Sequence, residues 1–234
     1  MNTHIVIHSH NRDNITGTKP ENCTITLNKK ITAECAELSY FMCPNTFYNI
    51  TAANNTFLLD ASTITIDPGC YSLTQLFTEV LTLLPLGSNI LFNDVLNKLE
   101  FTFTAAHTLD FSGSKSWLVF GFLPKAYASA TSFISDNPPK IYQTLIYVET
   151  NLANNIVSDL GYHCSFAIPI TVNKGEMIYF HNRTMFSSRP KVRDNEIRNI
   201  QVILKDEYNQ VLQAVGDFSL ILAINEKKNI NDSL

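Results

Sequence analysis

Apolar side chains recur at every second position in run after run of this sequence, and draw a long helical stripe only once. In Cys23-Thr24-Ile25-Thr26-Leu27 the apolar groups fall on one face of a strand and the threonines on the other. Ile31–Met42 reads the same way, with Ala36, Leu38, Tyr40 and Met42 on one face, until Pro44-Asn45 breaks it. Shorter runs follow at Phe57–Leu59, Ile64–Ile66, Asn89–Phe92 and Leu99–Phe103, with Asn97-Lys98 suited to a hairpin turn between the last two. Tyr142–Val148, Phe166–Val172, Met177–Phe180, Ile197–Leu204 and Phe218–Ile224 complete the set, and Pro169 inside one of them predicts an edge strand or a bulge. The helical exception comes after the turn Asp67-Pro68-Gly69. Ser72-Leu73-Thr74-Gln75 is a capping box, and Leu73, Leu76, Phe77, Val80, Leu81 and Leu84 form one apolar stripe that Pro85 and Gly87 end. A second, short helix is expected between Phe111 and Gly121, and Tyr127–Pro139 reads as an extended polar loop.

Strands this numerous, with helices too few to alternate with them, exclude a parallel sheet of βαβ units. No period of about 20–50 residues repeats, so a solenoid or propeller is excluded as well. What remains is an antiparallel sandwich or jelly roll. The chain is long enough for one large domain or two small ones, at 234 residues. Only 16% of residues are charged, and 17 Lys and Arg against 21 Asp and Glu leave a formal net charge of -4. A basic nucleic-acid coat needs clustered positive charge and does not fit that balance. The aromatic content of 11% is enough for a packed core, which excludes an acidic disordered chain.

No apolar window of about 18 residues predicts a membrane-spanning helix. Met1–Asp13 holds three histidines and lacks the apolar stretch of a secretory signal. The six Asn-x-Ser/Thr triplets, at Asn14, Asn22, Asn49, Asn54, Asn182 and Asn231, are therefore read as chance in an Asn- and Thr-rich chain. Cys23, Cys35, Cys43, Cys70 and Cys164 are odd in number and lack CxxC spacing, which predicts reduced, mostly buried thiols and no zinc site.

Motifs for catalysis are missing: there is no GxSxG, HExxH, P-loop or GxGxxG. His8 and His10 share a strand face but find no third metal ligand, and His163 and Cys164, being adjacent, point to opposite faces. We therefore expect no catalytic residue, no metal and no cofactor. One charge concentration stands out. Arg183, Arg189, Lys191, Arg193 and Arg198 lie within sixteen positions, opposed by Asp194 and Glu196. They read either as a solvated loop or as a contact for an acidic partner subunit or for nucleic acid inside a shell. Trp117–Phe122 reads as core, with a partner or ligand patch as the alternative. The segment Met1–Lys19, polar apart from Ile5-Val6-Ile7, reads as an arm that adds a strand to a neighbour or as a frayed terminus.

Several of these pieces occur in a particular order. Phe47-Tyr48-Asn49-Ile50 and Phe57 precede Ile64-Thr65-Ile66-Asp67-Pro68-Gly69-Cys70-Tyr71-Ser72 and the amphipathic helix. A hairpin, the step Val119-Phe120-Gly121-Phe122, and the runs Ile200–Asp206 and Phe218–Leu222 follow. This order, over roughly residues 20–224, resembles the minor capsid (penton) proteins of Polinton/Maverick elements and the related virophages and adintoviruses. The resemblance implies a mostly β, antiparallel jelly-roll sandwich with a small α/β insertion carrying one amphipathic helix. The jelly-roll core is then expected in residues 1–50 and 125–234 and the insertion in residues 51–124. It implies a non-catalytic structural subunit that forms homopentamers at the five-fold vertices of an icosahedral capsid, beside the major capsid (hexon) protein. Neither membrane nor sequence-specific nucleic acid is an expected partner, and the virion is the expected location. The alternative is a β-sandwich binding module for glycan or receptor attachment.

Overall fold

The computed structural model describes residues 2–12, 19–152, 156–157, 163–182, 192 and 196–226. In chain order the elements are β1 (Asn2–His8), β2 (Asn22–Pro44), β3 (Thr56–Leu59), β4 (Ser62–Thr65), α1 (Leu73–Leu83), β5 (Asn89–Asn93), β6 (Lys98–Asp110), α2 (Ser116–Phe120), β7 (Ala126–Ile134), β8 (Leu145–Thr150), β9 (Ile156–Val157), β10 (His163–Cys164), β11 (Phe166–Pro169), β12 (Met177–His181), β13 (Glu196–Lys205) and β14 (Ser219–Glu226). They divide into two compact units, residues 1–47 with 143–234, and residues 48–142.

The first unit is an antiparallel jelly-roll sandwich built around β2. Its first half, Asn22–Thr32, pairs with β13, which continues through β8 to β11. Its second half, from Ala33 on, pairs with β14 and then β1 on one side and with β12 on the other. One strand thus belongs to both layers. Ile5, Ile7, Leu38, Phe41, Leu220 and Leu222 from one layer and Ile146, Val148, Ile168, Ile200, Val202 and Leu204 from the other form a single buried cluster. No glycine or proline interrupts β2 before Pro44, which lets the two expected runs join into one strand.

The expected alternation in the second half of β2 needs one correction. Ala36 and Leu38 are buried, but so are Phe41 and Cys43, while Tyr40 and Met42 lie on the solvent side. Ser39 is the cause: Leu222 pairs with Leu38 and Ile221 with Tyr40, so Ser39 is an extra residue, and this bulge reverses the phase of every later side chain. The N-terminal segment needs another. Asn2–His8 is not frayed, because β1 pairs along its whole length with β14 of its own chain and buries Ile5 and Ile7; residues 1 and 13–18 of the segment lie outside the described residues.

In the second unit β6 is the spine of a five-stranded sheet. β5 and β3 pair along one side of it, β4 pairs with β3, and β7 runs along the other side. The stretch expected as a loop over Tyr127–Pro139 is therefore strand as far as Ile134, and this compact unit spans Tyr48–Tyr142. Small, polar residues hid this strand, since Ala126–Ile134 buries only Phe133. Helix α1 carries its predicted capping box and buries Leu76 and Val80. Around Phe120 the rings of Phe57, Phe101 and Phe111 pack at centroid distances of 5.6, 5.7 and 6.0 Å, and Phe111 stacks on Phe122 at 4.8 Å. Trp117–Phe122 is accordingly core. Gly121 ends α2 in the left-handed region (φ 75), and a Cβ there would meet the Asn137 carbonyl at 2.1 Å, so both a helix stop and a close backbone approach require glycine.

Asn49 ties the two ends of this unit to its middle. Its side-chain amide donates to the carbonyls of Tyr71 (2.7 Å) and Ile141 (2.9 Å), and its side-chain oxygen accepts from the Tyr71 N–H (2.8 Å). Asn49→Ala is expected to lower the stability of the unit by about 2–3 kcal/mol, since it strands half-buried backbone groups. Asn49→Asp is expected not to restore it, because a carboxylate cannot donate to either carbonyl. Urea unfolding of the three proteins checks both.

Candidate functional site

Of the basic cluster, Arg198 alone lies among the described residues; Arg183, Arg189, Lys191 and Arg193 lie outside them. Arg198 is exposed on β13, where the register with β2 slips: Ile197 pairs with Ile31 and Asn199 with Thr26, so Leu27–Lys30 bulge out opposite Arg198. Lys30 and Glu196 close this bulge with an ion pair of 2.9 Å.

Among the described residues no group of three or more His, Cys, Asp or Glu side chains is arranged to hold a metal ion. His8 stacks on His10 with ring centroids 5.3 Å apart, and its Nδ1 lies 2.7 Å from the Ser219 hydroxyl. Cys164 is buried, and desolvation, with the Glu149 carboxylate adding to it and Lys205 opposing it, pushes its thiol up to about 11. Burial likewise pushes Cys43 up to about 12. Thiols held so high are protonated at neutral pH and make poor nucleophiles. No described helix is long and apolar enough to cross a membrane.

Two features of the described surface remain, a pair of side-chain rows and the strand edges. Across the solvent face of the first layer two rows of side chains run from edge to edge: Val6, Ile221, Tyr40 and His181, and beside them His8, Ser219, Met42 and Tyr179. Val6 is 54% exposed and Tyr179 61%. Among the described residues the sandwich has four strand edges, and they are treated differently. In the second layer Pro169 stands on β11, and because the Ile170 N–H turns inward to Thr144, the N–H that Pro169 lacks is an outward one. The other edge of that layer, the first half of β2, carries Lys29, Lys30 and the bulge. Charges, proline and bulges are what block strand addition.

The first layer carries none of these on its outer strands. β1 (Asn-Thr-His-Ile-Val-Ile-His) and β12 (Met-Ile-Tyr-Phe-His) have no Lys, Arg, Asp, Glu or Pro and pair without a register slip. The ladder fixes which backbone groups face out. Ser9 N–H donates to the Phe218 carbonyl, so the N–H and C=O of His4, Val6 and His8 turn away from β14. Asn45 bonds to Glu176 and Asn182 to Ser39, so those of Met177, Tyr179 and His181 turn away from β2. Sequence reasoning named β1 only as part of a strand-adding arm over Met1–Lys19 and missed β12, where the signal available was Met177–Phe180, a strand-like run without a charge.

No protein-family model matches the sequence, and no curated protein does. Among solved structures the chain is similar to the crystal structure of the mavirus penton protein, at 10% sequence identity and a TM-score of 0.53, over 97% of this chain and 99% of that one. At that identity the likeness is one of fold alone.

All five cysteines are free thiols, with Cys23, Cys43 and Cys164 buried and Cys35 and Cys70 half-buried. Native alkylation followed by mass spectrometry is expected to label Cys35 and Cys70 first, with Cys43 and Cys164 reacting only as the fold opens.

Proposed function

We propose that this protein is a structural capsid subunit of the penton type. Homopentamers of it form the five-fold vertices of an icosahedral capsid, beside major capsid (hexon) subunits, and it performs no catalysis. Its setting is a virion or virus-like particle of the Polinton/Maverick, virophage and adintovirus kind, built inside the host cell. The observation that supports this reading is the fold likeness to the mavirus penton protein, which extends over 97% of this chain and 99% of that one and so takes in both compact units. Low charge density agrees with it, since like subunits then meet without strong repulsion. The basic cluster Arg183, Arg189, Lys191, Arg193 and Arg198 is its contact for an acidic neighbouring subunit.

A second reading, an attachment module, draws on one observation. At the tip of the β5–β6 hairpin Val95 and Leu96 are 94% and 57% exposed. They are held out by a turn in which the Asn93 side chain accepts both of their N–H groups, at 3.0 and 2.9 Å. A tip of this kind is pre-organised for an apolar pocket on another molecule.

Light scattering coupled to size exclusion, with negative-stain microscopy of the full chain, separates the two. The capsid reading expects a closed five-membered ring that forms with rising concentration. A monomer persisting at high micromolar concentration overturns it and leaves the attachment reading.

A further inference from the structure

The capsid-subunit reading gives the basic cluster to an acidic neighbour but leaves open how copies of this chain join one another. We infer that the outer edge of β1 in one copy pairs with the outer edge of β12 in the next, joining their first layers into one continuous antiparallel sheet. The choice of a second copy as occupant rests on that reading; the choice of edges rests on the strands themselves.

Three observations converge. First, among the described residues these two edges lack a device against strand addition, while the second layer has Pro169, Lys29, Lys30 and a bulge. An exposed edge of uncharged, apolar-alternating residues is an aggregation hazard in a chain that stays alone, and a joint in one that does not. Second, the two edges match. Each turns alternate residues outward, His4, Val6 and His8 among them on β1 and Met177, Tyr179 and His181 on β12. Neither set carries a carboxylate, lysine or arginine, so no like charges oppose their approach. Third, the directions match. β1–β14, β14–β2 and β2–β12 are each antiparallel, so β1 and β12 run in opposite senses. A neighbour rotated about an axis along the strands therefore offers its β12 antiparallel to β1. The contact is heterologous, one flank to a different flank, which is the kind that closes a ring. The two rows of Val6, Ile221, Tyr40, His181 and His8, Ser219, Met42, Tyr179 then run on unbroken from copy to copy.

Val6→Pro removes one outward N–H from β1, and Tyr179→Pro removes one from β12; neither touches a ladder bond inside the sheet. In sedimentation velocity, each variant alone is expected to stay monomeric at concentrations where the unmodified chain assembles, with an unchanged circular dichroism spectrum. V6P keeps its β12 edge and Y179P keeps its β1 edge, so an equimolar mixture is expected to give a one-to-one dimer and nothing larger. Val6→Lys and Tyr179→Lys, which leave the backbone intact, carry the same test if a proline variant fails to fold. Rings formed by the edge variants, or no dimer in the mixture, overturn the edge pairing while the capsid reading stands. An unmodified chain that stays monomeric at high micromolar concentration overturns both.

Discussion

A single strand holding two sheets together is the constraint on which the first unit depends. β2 gives its first half to the layer of β13, β8 and β11 and its second half to the layer of β14, β1 and β12. Because both layers hang from one backbone, their separation and twist are not independent. The inward side chains of the two halves must meet at the spacing of packed sheets, about 10 Å. The bulge at Ser39 is the adjustment that makes this work. It reverses the alternation just where β12 joins, so that Phe41 and Cys43 face the core together with Ile178 of β12. Without the extra residue the aromatic side of Tyr40 and Met42 would point inward, and Phe41 would face solvent.

This dependence explains which parts of the fold were legible from the residues. Patterns complete within a few positions could be read directly. The Ser72–Gln75 capping box and its stripe became α1, and the β5–β6 hairpin closed at Asn97, whose φ of 53 suits asparagine. Patterns set by a partner could not. The phase of β2 after Ser39 is decided by β14 across the sheet, which sequence spacing does not show. β7 was invisible because it lies along β6 with only Phe133 buried, and its Ala, Ser and Thr residues have the composition of a loop. The short α2 and the Pro169 edge were readable because glycine and proline carry their constraint in their own covalent structure.

The candidate contact surfaces were less legible still, for a physical reason. A catalytic set announces itself through rare residue types at fixed spacing, whereas a contact edge is marked by what it lacks. Nothing in Met177-Ile178-Tyr179-Phe180-His181 differs from a buried strand until its position at the end of the order β1-β14-β2-β12 is known. The basic residues, conspicuous in the sequence, were the easier candidates to name, yet of them the described fold places only Arg198.

The contrast between guarded and bare edges bears on how a chain proposed to pair with its copies stays usable until it does. A bare edge invites any extended chain, so its exposure has to be limited in length and in number. Both conditions are met: β12 is five residues long, β1 is seven, and the second layer withholds its own edges with proline, lysines and a bulge. Shielding one layer while leaving the other open also removes the ambiguity of which edges join, because a β11 edge lacking an outward N–H at Pro169 is a poor partner for either bare strand. Specificity here comes from blocking the wrong pairings as much as from favouring the right one. A net charge of -4 spread over 234 residues is too weak to override a short-range backbone contact once two matching edges align.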